Sequence, residues 1–141
     1  MSFFQQFLEN EEGENKLSSF GRLMSTAFCK ISLGKNTWHR VAWYDDNSGE
    51  RTHEVGKKEP DGLCLYDMSG NVYEWCADWY DSDAYSEHSR DNPIYDSGGD
   101  YRVGRGGGWG YNPAYVRCAD RYCYSPGYTY SGLGFRLLRT D

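Results

Sequence analysis

Thiols, imidazoles and carboxylates are the side chains able to ligate metals, attack electrophiles or move protons. Here their spacing argues against each use. The five cysteines, Cys29, Cys64, Cys76, Cys118 and Cys123, contain no CxxC pair, so neither a zinc ribbon nor a thioredoxin-type redox site is expected. His39, His53 and His88 show no metal-ligand spacing. No Ser-His-Asp, Cys-His or paired-carboxylate arrangement stands out for nucleophilic or acid–base catalysis. The chemistry that does stand out is aromatic. Residues 109–132, WGYNPAYVRCADRYCYSPGYTYSG, hold six of the thirteen tyrosines: Tyr111, Tyr115, Tyr122, Tyr124, Tyr128 and Tyr130. Gly, Ser, Asn and Asp surround them. Tyrosine offers large contact area with few rotors and a polar tip, while Ser, Gly and Asn adapt, which is the composition of an antibody paratope. An exposed cluster of this kind marks a binding surface. The same rings also suit the core of a Leu-poor domain, so each single tyrosine stands open between the two roles, and the cluster as a whole favours recognition.

The elements that must position these rings differ along the chain. In residues 1–36, Phe3, Phe4, Phe7 and Leu8 fit one face of a short helix. Leu17, Phe20, Met24, Ala27, Phe28 and Ile31 recur at three- and four-residue steps, and the acidic stretch ENEEGEN separates the two groups. Two short helices are expected there, packing on the domain or docking it onto a larger assembly. From Asn36 onward the helical period disappears. Short aromatic runs alternate with Gly, Asp, Asn and Pro clusters, the pattern of turns joining short strands. YRVGRGGGW reads as a strand with a glycine bulge or a close backbone approach. LGFRLLR, residues 133–139, alternates as a final strand. MSGNVYEWCADWY suggests one helical turn that brings Trp75 and Trp79 together at i, i+4.

Composition and charge narrow the partners. Aromatics make up 17% of the 141 residues beside 17 glycines, so a Trp/Tyr core in an irregular, loop-rich single domain is expected. Residues 40–101 hold fifteen acids and five bases, whereas residues 102–141 hold two acids and six arginines. With a net charge of -6 the chain is a poor binder of phosphate backbones, and no nucleic acid partner is expected. No apolar run approaches the ~18 residues of a membrane span. The first residues, MSFFQQFLENEEGEN, show no basic n-region and no cleavage site. A cytoplasmic location is therefore expected, unless a phage particle or a non-classical export route displays the chain.

Four blocks carry a family resemblance: VAWYDDNSG at 41–49, GLCLYDMSGNVYEWCADWY at 62–80, RVGRGGGW at 102–109, and RCADR with the closing LGFR at 117–121 and 133–136. In this order and at these separations, over roughly residues 38–139, the chain resembles the formylglycine-generating-enzyme (sulfatase-modifying factor) superfamily. The resemblance implies an α+β, C-type-lectin-like fold with little regular secondary structure. That domain would occupy residues 37–141, in a compact or truncated form, after the helical segment 1–36. The family's Arg-Leu-Pro-Thr-Glu-Ala-Glu-Trp-Glu segment is absent. The enzyme's copper-binding cysteine pair falls just after the GG-Ser-Tyr/Trp motif. The corresponding stretch here, Gly108 to Tyr115, contains no Cys. Cu(I) needs soft thiolates, so no copper and no oxidase activity are expected. The alternative is an enzyme of formylglycine-generating type acting on a protein substrate. Cys118, whose partner in the enzyme lies in the missing half, is implied to be a buried free thiol, with Cys123 as the other candidate partner.

The resemblance also implies a structural calcium site in which Asp67 and Glu74 supply carboxylates and Gly70 and Val72 supply backbone carbonyls, all hard oxygen donors. The other reading gives Asp67 a turn-capping role and sets Glu74 to accept hydrogen bonds from backbone amides. The C-terminal segment is similar to the variable region of diversity-generating retroelement target proteins, which use this scaffold. Trp109, Pro113, Arg117, Ala119, Arg121 and Pro126 alternate with residues reachable from an AAC codon by changing its adenines. The positions implied to vary and to face ligand are Gly110, Tyr111, Asn112, Tyr115, Asp120, Tyr122, Tyr124, Tyr128, Tyr130 and Gly132. The expected partner is a protein or glycan on a cell or phage surface, and an oligomer is compatible with the sequence.

Overall fold

The computed structural model describes residues 35–61, 64–87, 95–117 and 119–137. Of the helices expected over 1–36, all but the last two residues lie outside the described residues. Lys35 and Asn36 open a helix, α1 (Lys35–Val41). Helical structure thus runs past Asn36, where the sequence reading ends it. A helix of 7 residues is too short to show a period. It still buries one side: Val41 and Ala42 are inside, Trp38 packs against the core, and His39 and Arg40 face solvent. Those two basic residues sit in the last turn, where they suit the helix dipole. Val41, Ala42, Tyr44, Leu65, Met68 and Val116 form the hydrophobic core that α1 covers.

Next comes β1 (Tyr73–Trp79), where one helical turn is expected. The correction has a simple cause. A spacing of four places Trp75 and Trp79 on one side of a helix and equally on one side of a strand. The aromatic side chains of YEWCADW favour the pleated form. A short helix, α2 (Ala84–Glu87), follows. Strand β2 (Arg102–Arg105) pairs antiparallel with β1, with Trp75 opposite Gly104 and Trp79 opposite Arg102. Strand β3 (Tyr122–Tyr124) pairs antiparallel with the far edge of β2. Strand β4 (Leu133–Gly134) runs parallel to β1, giving a mixed sheet in the order β3-β2-β1-β4. Among the described residues the final strand is thus limited to Leu133 and Gly134. Beyond it Arg136 fixes the chain through its side chain instead of ladder bonds, while Phe135 and Leu137 are exposed. No described helix is long and apolar enough to cross a membrane.

Two glycines set the geometry of the sheet. Gly70 has φ +75, and a Cβ there would lie 2.2 Å from the Trp43 carbonyl oxygen. That closeness lets the Gly70 N–H reach the Gly106 carbonyl at 2.7 Å and the Asn71 N–H reach the Trp43 carbonyl at 2.8 Å. The buried Asn71 side chain then clamps His53, accepting from its N–H at 2.9 Å and donating to its carbonyl at 3.0 Å. Gly104 faces the Tyr124 ring, whose carbons would lie 2.8 and 3.0 Å from an added Cβ. The close backbone approach expected for YRVGRGGGW lies at Gly107, where an added Cβ would sit 2.6 Å from the Tyr115 carbonyl oxygen.

The segment after β2 is tied down mainly through its backbone. Trp109 donates its N–H to the Asn71 carbonyl, and its own carbonyl accepts from the Ser48 hydroxyl. The Tyr111 carbonyl accepts from Asp45. Between these anchors and β4 the chain folds through i→i−3 turns: Tyr111 to Gly108, Tyr115 to Asn112, Asp120 to Arg117, Tyr128 to Ser125 and Leu133 to Tyr130.

Candidate ligand-binding surface

The tyrosine-rich segment is built on Tyr73 of β1, which is fully buried. Its ring meets Tyr111 edge-on at 5.2 Å between centroids, and Tyr122 and Tyr124 each at 5.8 Å. Tyr124, held over Gly104, packs on Tyr128 in a parallel stack at 5.6 Å and on Tyr130 at 5.8 Å. The Tyr124 and Tyr130 hydroxyls share a hydrogen bond of 3.0 Å. Tyr111, Tyr122, Cys123, Tyr124, Ser125, Tyr128 and Tyr130 line an open depression of about 300 Å³.

The six tyrosines divide between the two roles open to them. Tyr115, Tyr122 and Tyr128 are 44%, 45% and 48% exposed, whereas Tyr124 is only 7% exposed. Tyr111 and Tyr130 are half-buried. The other positions expected to face ligand also divide. Gly110 and Asn112 are exposed on the turn beside the depression, where the Asn112 side chain accepts the Ala114 N–H. Asp120 is half-buried. Gly132 is buried beneath Tyr130, and its carbonyl accepts the Tyr73 N–H at 2.8 Å, so it supports the surface from below. Cys123 and Ser125 join the lining although the sequence did not single them out as ligand-facing. The same holds for Tyr73 as the floor. An apolar residue alternating with Trp75 was the available signal.

Burial is the main cause that pushes Tyr73, Tyr124 and Tyr130 far above the usual phenol range. Asp120 and then the neighbouring phenols add to it at Tyr73, and Tyr130 adds to it at Tyr124, whereas at Tyr130 the bond with Tyr124 opposes the rise. All three are therefore neutral at physiological pH. The Asp120 carboxyl is raised by burial, against the opposing pull of Arg117 and Arg105. Burial also pushes the Cys76 thiol up to about 11, which keeps it protonated and unreactive. One group here is unserved: the buried Tyr73 hydroxyl has no hydrogen-bond partner among the described residues. Removing an unpaired buried hydroxyl stabilises a fold. Tyr73→Phe is expected to raise stability by about 1 kcal/mol in urea unfolding, and a loss of similar size would show that the hydroxyl is bonded in solution.

The four positions implied to hold calcium are placed differently from a metal cage. Both Glu74 carboxylate oxygens receive Arg136, at 3.0 Å from Nε and 2.8 Å from Nη2. The same guanidinium donates to the carbonyls of Tyr66 at 3.1 Å and Asp67 at 3.3 Å. Burial works against the Arg136 charge, but the Glu74 bond and the charges of Glu74, Asp67 and Asp61 together outweigh it and its pKa is raised. Asp67 Oδ2 accepts the Gly56 N–H at 2.6 Å, Gly70 serves the close approach to Trp43, and the half-buried Val72 packs by Gly134. Calcium takes about six to eight oxygens. With both Glu74 oxygens facing a cation, this donor set does not fit the ion as placed. Among the described residues, no group of three or more His, Cys, Asp or Glu side chains gathers elsewhere. Cys64, Cys76 and Cys123 are free thiols, and Cys118 lies outside the described residues.

Comparison with known proteins gives this geometry a lineage. Residues 20–141 match the Sulfatase-modifying factor enzyme 1-like domain. Serine/threonine-protein kinase Pkn1 of Chlamydia trachomatis is 49% identical over 79 residues, which are 55% of this chain and 13% of that protein. The formylglycine-generating enzyme of Thermomonospora curvata is 36% identical over 91 residues, 60% of this chain and 30% of the enzyme. Treponema denticola variable protein 1 superposes with a TM-score of 0.60 at 37% identity, covering 72% of this chain and 37% of its own. The chain spans between 13% and 37% of the length of these relatives. The fold is the α+β, C-type-lectin-like one that the resemblance implied, and the likeness to retroelement variable proteins holds in three dimensions. By its sequence match and its architecture, the chain belongs to the sulfatase-modifying factor enzyme 1-like domain family.

Proposed function

We propose that this chain is a non-catalytic ligand-binding module whose tyrosine face varies between copies, as in retroelement-diversified proteins. The observation that carries the proposal is the split within the cluster. Tyr73 and Tyr124 are buried as a foundation, while Tyr122 and Tyr128 stand nearly half exposed in the lining of one depression and Tyr115, equally exposed, packs edge-on against Tyr111 beside it. Aromatic side chains on a rigid base bind with little entropy loss. The absence of cysteine from Gly108 to Tyr115 supports a non-catalytic role, because the copper chemistry of the related enzymes needs those thiolates. The cation that ties the 67–74 loop is Arg136, so calcium is not required for the scaffold. The ligand is a protein or a glycan of a cell or phage surface.

The test compares the wild-type chain with the triple variant Tyr115→Ala, Tyr122→Ala, Tyr128→Ala on an array of surface proteins and glycans. Binding is expected to fall by about tenfold or more, since aromatic anchors carry most of an interface's energy. The melting temperature should move by only about 2–4 °C. Retained binding, or a collapsed melting transition, would reject the proposal. Variability has its own test: the variable positions should be encoded by NNC or NNT codons in the gene.

A further inference from the structure

Granting that the tyrosine face binds ligands, as proposed above, we infer that its depression is a cage for an organic cation of the alkylammonium class, such as a lysine side chain presented by a protein ligand. Three observations select this chemistry. The first is what the lining offers. Among the described residues, Tyr111, Tyr122, Tyr124, Tyr128 and Tyr130 surround the space together with only Cys123 and Ser125, and none of these is charged. The rings lean at 41–44° to one another, apart from the Tyr124–Tyr128 stack, and so turn several faces and edges toward one space. Ring faces carry the negative end of the aromatic quadrupole and attract cations.

The second observation is which polar groups are already engaged. The Tyr124 and Tyr130 hydroxyls bond to each other. A polyhydroxylated sugar would find no carboxylate or amide side chain in the lining to receive its hydroxyls. The Tyr73 hydroxyl beneath is buried without a partner, an oxygen available to an N–H donor if the rings above it shift.

The third is charge. The chain carries a net charge of -6, and Asp120 lies close enough to act on Tyr73 at the base of the cage. The two arginines that act on Asp120 do not override its burial, and each also donates to a neutral oxygen: Arg105 to the Tyr85 hydroxyl and Arg117 to the Ala114 carbonyl. Elsewhere in the domain several rings already carry cations. Lys58 sits 3.9 Å over Trp43, Arg102 sits 3.6 Å over Trp79, and Arg121 sits 4.4 Å over Tyr85. Among the described residues, no cation covers the rings of the depression. A space of about 300 Å³ admits a trimethylammonium head or the end of a lysine.

The experiment titrates the purified chain with choline and with 3,3-dimethylbutan-1-ol, its uncharged isostere, by saturation-transfer NMR and calorimetry. Glucose and mannose serve as sugar probes. Choline is expected to bind at least tenfold tighter than the isostere. Tyr122→Ala with Tyr128→Ala should abolish this preference. Asp120→Asn should weaken choline several-fold with no fall in melting temperature, because burial already disfavours that charge. Equal binding of choline and its isostere, absence of choline binding, or binding of the sugars alone would overturn the inference. If choline fails while the triple tyrosine variant still loses its surface ligands, the cation cage falls and the binding face stands. If both fail, both fall.

Discussion

Gly70→Ala is expected to be the most damaging glycine-to-alanine change among the described residues. An added Cβ would meet the Trp43 carbonyl oxygen at 2.2 Å, its nitrogen at 2.8 Å and its carbon at 2.9 Å. All three are backbone atoms, so no side chain can rotate away. The residue must also hold φ +75, a region that costs a non-glycine residue energy even in open space. Either the parallel bridge between Trp43 and Gly70 opens or the Gly106 bond is lost. The cost is about 3 kcal/mol or more, a fall of roughly 10 °C or more in melting temperature. Gly110→Ala is the matched control. That glycine is exposed and has nothing within 4 Å of an added Cβ. Urea unfolding of the two variants decides the matter, and equal stabilities would show that the close approach at Gly70 is not maintained in solution.

The second large effect belongs to Arg136. Its side chain is 18% exposed and that of Glu74 is 25% exposed, so this ion pair is largely withdrawn from water. Arg136→Met removes the cation and leaves the Glu74 carboxylate and the Tyr66 and Asp67 carbonyls without their donor. Breaking one side of a buried pair costs about 3 kcal/mol. Partial exposure puts the expected loss at about 2–3 kcal/mol. Arg136→Lys should recover only part of it, because one ammonium cannot fork across both Glu74 oxygens. Glu74→Gln combined with Arg136→Met should be more stable than Arg136→Met alone, since it removes the stranded charge. Millimolar calcium and a chelator should leave the wild-type melting temperature unchanged. A rise of several degrees with calcium would mean that the ion displaces the guanidinium from Glu74.

The sequence blocks were sufficient for the fold class because they mark backbone requirements: the Gly70 approach, the Asn71 clamp and the Gly104 contact each demand one residue type. What escaped was of two kinds. Where one spacing satisfies two periods, as at Trp75 and Trp79, local pattern cannot choose between helix and strand, and the pairing with β2 decides it. Where two groups far apart in the chain meet, neither announces the other. Glu74 looks like a metal ligand by itself, and only the folded chain brings Arg136 to it from 62 residues away. The tyrosines fall between these cases. Tyr122 and Tyr124, two apart on β3, share one face of the sheet and differ only in depth, because Tyr124 lies over Gly104, a contact that no period in the sequence marks.

The succession of backbone turns from Gly108 to Leu133 has an evolutionary consequence. An i→i−3 bond asks for an amide N–H and a carbonyl, which every residue but proline supplies. The contour of this segment is therefore largely indifferent to the side chains it displays, and the anchors at Trp109 and Tyr111 are likewise made by main-chain atoms. Most substitutions at the exposed positions can change what is recognised without first passing through an unfolded intermediate. Innovation and robustness, which compete in most binding proteins, are here assigned to different atoms of the same residues.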